Sequence, residues 1–203
     1  MAAGSKTIAV LGGTFDPPHL GHLALARGVA DALGLARVFL VPTGNPHFKL
    51  DEDVTPVAAR VAMTRLLAAE DDRLAVSAIE AERPGVTYTV DTLEELQRLH
   101  PGSQLVFIVG GDCAAHIWRW RAADKLAKLC IVVAVARPGY DFSAAQRDLE
   151  ASGLGFDVRY LHLDVPDVSS TQVRQRVAAG QRLGGLVPAS VEAFIREHGL
   201  YRG

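Results

Sequence analysis

Cysteine is scarce in this chain, and no cysteine framework can be built from what there is. Cys113 and Cys130 are the only two in 203 residues and form no CxxC, so reduced thiols in a cytoplasmic protein are the expectation. An excess of either charge is missing too. Lys and Arg number 21 against 23 Asp and Glu, for a formal net charge of −2. That excludes a nucleic-acid binder driven by bulk charge, and any anion site must be local. Long apolar runs are absent. The longest clear one, residues 129–136, is far short of the roughly 20 residues a helical membrane span needs. Residues 1–6 carry one basic residue and no apolar leader segment. Internal repeats and low-complexity tracts are absent as well. What is there is 49% hydrophobic and 22% charged, enough to bury a sizeable core in one domain spanning residues 1–203. A soluble protein with neither a membrane nor a nucleic-acid partner is expected.

The most informative stretch runs Gly12-Gly13-Thr14-Phe15-Asp16-Pro17-Pro18-His19-Leu20-Gly21-His22. It follows Thr7-Ile8-Ala9-Val10-Leu11, which has the length and β-branched content of a buried strand. It precedes residues 23–33, which read as an amphipathic helix stopped at Gly34. The motif is therefore the turn between a first strand and a first helix, where ligands bind in open α/β sheets. Gly12 and Gly13 allow backbone N–H groups to approach an anion closely. Pro17-Pro18 stiffens the loop. His19 and His22, three apart, share a face of the first helical turn. The free N–H groups and dipole of that helix start suit a polyphosphate. Two imidazoles beside it can donate hydrogen bonds and, when charged, offset negative charge. Each part has an ordinary reading. A glycine pair after a strand is usually a turn, and a histidine pair at this spacing also suits zinc, although neither cysteine is near in sequence.

Further along, residues 36–42 read as a second strand stopped by Pro42, and 43–53 as a loop holding His47 and Lys49. A helix is expected over 57–69 and a strand over 74–79. Thr89 is placed to cap a helix running to about Leu99. The apolar run 105–109 has the character of a central parallel strand and ends in Gly110-Gly111-Asp112. A short helix through Trp118 and Trp120 follows, then another near 122–128. Residues 129–136 read as a buried strand, 142–151 as a helix and 158–163 as a last strand. Ser169 caps a helix to Ala179, and Pro188 opens a final one to His198. Strands alternating with helices imply a Rossmann-like doubly wound α/β fold, its sheet mostly parallel with helices on both faces, and a helical C-terminal part from about 168. Gly12, Pro42, Gly110 and Arg137 fall along one sheet edge.

A second segment, Asp167-Val168-Ser169-Ser170-Thr171-Gln172-Val173-Arg174, offers N-cap residues and, one turn on, a guanidinium able to take two phosphate oxygens. Alone it is equally an ordinary capped helix with an exposed arginine. The eleven-residue turn resembles the nucleotidylyltransferase signature, and a Ser-Ser-Thr-x-x-Arg segment is its usual partner. Together with Tyr88-Thr89-Val90-Asp91-Thr92-Leu93, Phe107 to Asp112, Trp120, Arg137-Pro138-Gly139 and Leu200-Tyr201, they resemble the bacterial nicotinate-nucleotide adenylyltransferases over nearly the whole chain. Two departures stand out. Gly111 replaces a common alanine, and Phe48 separates His47 from Lys49 where the pattern has them adjacent.

The resemblance implies ATP bound by Gly12, Gly13, Thr14, Phe15, His19, His22, Ser170, Thr171 and Arg174, with His19, His22 and Arg174 catalytic. It implies an acceptor held by Lys49, Tyr88, Thr89, Gly110, Asp112, Trp120 and Arg137. The same residues have plain alternatives: Trp120 as core, Asp112 as a cap, Arg137 at the rim, Lys49 in solvent. The implied reaction joins ATP and nicotinate mononucleotide into deamido-NAD and pyrophosphate, in NAD biosynthesis. Mg²⁺ is expected on the phosphates and water, with no protein metal cage, and homo-oligomerisation is compatible. Two other readings stay open: an adenylyltransferase for nicotinamide mononucleotide or phosphopantetheine, and a nucleotide-binding sensor without turnover.

Overall fold

A computed structural model describes residues 7–44 and 54–202. Its strands are β1 (Thr7–Gly13), β2 (Val38–Pro42), β3 (Leu74–Val76), β4 (Gln104–Gly110), β5 (Cys130–Ala136) and β6 (Val158–His162). Its helices are α1 (Leu20–Leu33), α2 (Val57–Ala68), α3 (Thr89–Leu99), α4 (Gly111–Ala114), α5 (Ala123–Leu129), α6 (Ser143–Ala151), α7 (Ser170–Ala178) and α8 (Ala189–Glu197), with a 3-10 turn at Ile117–Arg119. All six strands pair in parallel, in the order β3-β2-β1-β4-β5-β6.

The strands are apolar on both faces, and side-chain alternation splits them between two cores. Ala9, Leu11, Val106, Ile108, Ile131 and Val133 pack beneath α1, α2, α7 and α8. Ile8, Val10, Leu105, Phe107, Val132 and Ala134 pack beneath α3, α5 and α6. This is the expected doubly wound α/β architecture. The chain steps outward from β1 to β3, then crosses back to β4 beside β1. That reversal leaves a crevice at the carboxyl ends of β1 and β4, where such sheets bind ligands. Among the described residues no helix is long and apolar enough to cross a membrane.

Several boundaries move. α1 begins at Leu20, so His19 is its N-cap and His22 lies inside its first turn. Its other end holds as expected: Gly34, at φ 63°, donates its N–H to Ala30 and Asp31, a left-handed cap that glycine adopts without cost. β3 stops at Val76 rather than 79. Thr89 is the first residue of α3, and Tyr88 takes the cap position. The helix expected through Trp118 and Trp120 divides into α4 and the 3-10 turn, with Trp120 extended after it. Ser169 does cap α7, its side chain accepting from the Gln172 N–H at 3.1 Å. His47, Phe48 and Lys49 lie outside the described residues.

Candidate active site

The turn after β1 is built on Phe15. Its φ of 49° is unusual for a non-glycine residue, and its ring is 1% exposed. A Cβ on Gly13 would lie 3.3 Å from that ring, so glycine there lets Phe15 fold in under the turn. Phe15 therefore supports the turn from the core, with its side chain buried. Its ring meets His22 at 4.8 Å between centroids, and His22 stacks on His19 at 3.7 Å.

The His19 backbone N–H donates to His22 Nδ1 at 3.2 Å. With Nδ1 accepting, the neutral His22 ring carries its proton on Nε2. Burial lowers the His19 pKa from 6.5 to about 4. Burial, and after it the neighbouring His19, push His22 well below 6.5. Without a ligand both rings are thus held toward the neutral form, which leaves His22 Nε2–H as a hydrogen-bond donor. Among the described residues, His19 Nδ1 is buried with no hydrogen-bond partner.

Asp16, 6% exposed, anchors the turn to distant parts of the chain. Its Oδ1 accepts from the Tyr201 hydroxyl at 2.6 Å and its Oδ2 from the Thr55 N–H at 3.2 Å. Its carbonyl accepts from Arg174 Nη1 at 2.7 Å. Ser170 Oγ donates to the Pro17 carbonyl at 2.9 Å, and Arg174 Nη2 donates to Thr171 Oγ1 at 3.3 Å. These bonds seat the start of α7 directly on the histidine turn, so the two sequence motifs form one assembly. Arg174 keeps unused N–H donors, because a guanidinium has five.

A cleft of about 410 Å³ opens beside this assembly. His19 and His22 line one wall, Gly110 and Asp112 another, and Arg137 and Tyr140 a third. Its volume lies within the range of small-molecule sites. Tyr140 donates to Asp112 Oδ1 at 3.3 Å. A Cβ on Gly111 would come within 2.9 Å of the Tyr140 ring, so glycine here leaves that ring its place. Arg137 pairs with Asp167 at 2.6 Å; both are exposed, so the pair contributes little.

Tyr88, Thr89 and Trp120 do not line this cleft. They sit over the other core, where Trp120 meets Phe107 edge-on at 6.0 Å and the Arg121 guanidinium lies 4.3 Å above the Tyr88 ring. The structure thus brings Gly110, Asp112 and Arg137 to the histidines and keeps the α3 start as a separate group.

Sequence reasoning missed Arg60. Its motif-free position on α2 is 2% exposed. Its Nε donates to the Thr55 carbonyl at 2.9 Å, Nη1 to Thr14 at 2.8 Å and Thr43 at 2.7 Å, and Nη2 to Gly44 at 3.0 Å. It also missed Glu80, 8% exposed, and the anchoring role of Tyr201. The one signal was compositional: an arginine on a helix face otherwise facing the core.

A family model described as cytidylyltransferase-like matches residues 10–176. It sets the class of protein that the doubly wound sheet, the crevice and the paired histidine and Ser-Thr-Arg motifs define. A Thermus thermophilus protein named probable nicotinate-nucleotide adenylyltransferase is 42% identical over 197 residues, covering 96% of this chain and 99% of its own length. One of the same name from Symbiobacterium thermophilum is also 42% identical, over 96% of this chain and 94% of its own. The fold is shared with Plasmodium falciparum nicotinic acid mononucleotide adenylyltransferase complexed with NaAD, at TM-score 0.76 and 18% identity over 97% of both chains. The chain belongs to the cytidylyltransferase-like family and, within it, to the nicotinate-nucleotide adenylyltransferases.

Proposed function

We propose that this protein transfers the adenylyl group of ATP to nicotinate mononucleotide, giving deamido-NAD and pyrophosphate, as a cytoplasmic enzyme of NAD biosynthesis. One observation carries the reading: the stacked His19–His22 pair and the Arg174-bearing start of α7 converge on a single turn at the mouth of the crevice. The names of the full-length relatives support it.

An oxygen of the mononucleotide 5′-phosphate attacks the α-phosphorus of ATP. The α–β bond breaks, and pyrophosphate leaves with the electron pair. The attacking oxygen is already ionised, so no side chain need become a nucleophile or strong base. Positioning and charge stabilisation supply the catalysis. His22 Nε2–H is assigned to the α-phosphate, with His19 beside it. Arg174 and the N–H groups at Ser170 and Thr171 are assigned to the β- and γ-phosphates, and the backbone of Gly12 to Phe15 to the same ligand. Tyr88, Thr89 and Trp120 are assigned to the pyridine nucleotide, Gly110 and Asp112 to ribose, and Arg137 and Lys49 to the acceptor side. Among the described residues no three His, Cys, Asp or Glu side chains stand together as a metal site. Mg²⁺ would be held mainly by ATP oxygens and water, and would neutralise charge developing on the leaving pyrophosphate.

The test is pyrophosphate release from ATP with nicotinate mononucleotide, nicotinamide mononucleotide or phosphopantetheine. N–H groups at the start of α3 are free of intrahelical partners and suit a carboxylate better than an amide NH₂. An unpaired donor costs about 1–3 kcal/mol, so the acid is expected to win by about 10²-fold in kcat/KM. Preference for the amide or for phosphopantetheine would reassign the acceptor, and silence with all three would leave a binding protein.

A further inference from the structure

Two buried charged groups have no part in the chemistry above. Arg60 and Glu80 come from different segments, yet both close on Gly44, two residues after β2. Arg60 Nη2 holds the Gly44 carbonyl at 3.0 Å while Nη1 holds the Thr14 carbonyl of the phosphate turn at 2.8 Å. On its other side Gly44 packs against Glu80, whose carboxyl pKa is pushed up by burial, while hydrogen bonds from Thr92, Thr87 and the Gly44 N–H and the charge of Arg83 oppose that rise. Thr92, in the first turn of α3, donates its hydroxyl to Glu80 Oε1 at 2.8 Å, and Arg83 Nη1 donates to that same hydroxyl oxygen at 3.1 Å. The packing is close enough that a Cβ on Gly44 would run into the Glu80 carbonyl.

The contacts form an unbroken chain: phosphate turn, Arg60, Gly44, Glu80, Thr92, start of α3. Burying a guanidinium and a carboxylate is costly, and apolar packing would stabilise the fold at least as well. What polar groups supply here is fixed distance and direction between three backbone segments.

We propose that Arg60, Gly44 and Glu80 are positioning residues that clamp the phosphate turn to the start of α3 and so set where the acceptor sits relative to ATP. The proposal rests on the assignment of Tyr88 and Thr89 to the acceptor. None of the three touches the reacting atoms through its side chain; they act through the Gly44 backbone and the first turn of α3.

Glu80→Gln tests it. The shape is kept, but an amide NH₂ replaces one oxygen that donors face. His19, His22 and Arg174 are left untouched. The expected result is a KM for nicotinate mononucleotide raised about ten-fold, as loss of one charge-assisted hydrogen bond implies, with the KM for ATP within about two-fold of wild type. Thr92→Val removes the hydroxyl at nearly constant shape and gives the same split at smaller size, which carries the test if Glu80→Gln does not fold. Thr92→Ser, which keeps the hydroxyl, restores wild-type values. If the wild type releases pyrophosphate and the variants leave both KM values unchanged, or raise both equally, the clamp is wrong and the adenylyl-transfer reading stands. If the wild type is silent with every mononucleotide, the functional reading fails and takes the clamp with it.

Discussion

His22 is the residue whose replacement separates structure from chemistry most cleanly. Its ring has two jobs on two atoms. Nδ1 accepts the His19 N–H at 3.2 Å, which caps α1, and Nε2 is left carrying the proton, the donor proposed for phosphate. The ring is held between Phe15 and His19, so the donor is oriented before substrate arrives. Losing one pre-oriented donor to a transition-state oxyanion costs about 10²–10³ in rate, or about 2.7–4 kcal/mol. His22→Asn places an amide oxygen near the Nδ1 position and keeps the cap while removing the Nε2 donor. His22→Gln places an amide NH₂ near Nε2 and loses the cap. Pyrophosphate release at saturating ATP and acceptor should therefore fall about 10²–10³-fold in the Asn variant with little loss of stability. The Gln variant should keep more turnover but melt earlier, since an unpaired buried N–H costs about 1–3 kcal/mol. ATP affinity, measured by calorimetry, should change much less than kcat in the Asn variant. A folded Asn variant within ten-fold of wild-type kcat would refute the donor role, as would a loss that appears wholly in ATP affinity.

Arg174→Ala should raise the KM for ATP about ten-fold or more and leave the acceptor KM nearly unchanged; collapse of acceptor binding with intact ATP binding would overturn its phosphate assignment. The buried histidines make the free protein acid-sensitive. The folded pKa of His19 is lowered to about 4 from 6.5, so the unfolded chain takes up a proton first as pH falls. That stability is complete above about pH 6.5 and is lost between 6.5 and about 4, up to about 3 kcal/mol for this residue. Urea melts at stepped pH should show wild type losing more over that window than His19→Asn, and parallel losses would refute it. Tyr201→Phe removes the 2.6 Å bond to Asp16. It should cost about 1–2 kcal/mol and lower Tm by about 2–8 °C; an unchanged Tm would show the C-terminal anchor to be idle.

The sheet and its helices were legible because their signals are local. Val10, Phe107 and Val132 belong to unbroken apolar runs that only a strand covered on both faces accommodates. Gly34 and Ser169 mark helix ends by backbone chemistry that acts within a few residues. Misplaced boundaries fell where tertiary contact overrides local preference. At α1 the helix starts two residues after Pro18, where the Leu20 N–H donates to the distant Leu186 carbonyl at 2.8 Å and the His19 N–H is satisfied by His22 Nδ1. The phosphate turn was legible for a related reason: Gly13, His19 and His22 are constrained by their own neighbours, Phe15 above all.

What holds that turn was not legible, and the reason is physical. In sequence Arg60 lies on the face of Met63, Thr64 and Leu67, the core side of its helix, with no motif to say what it meets. Its partners are the carbonyls of Thr14, Thr43, Gly44 and Thr55, and a carbonyl carries no side-chain identity for a pattern to find. Glu80 hides in the same way, since Thr92 and the Gly44 N–H recognise it by position alone. Tyr201 reaches Asp16 across 185 residues of chain, a separation that no periodicity spans. The proposed phosphate contacts are visible because they call for particular side chains beside one another. The scaffold that aims them uses backbone groups from separate segments, so it appears only once the sheet has brought the ends of β1 and β2 and the start of α3 together.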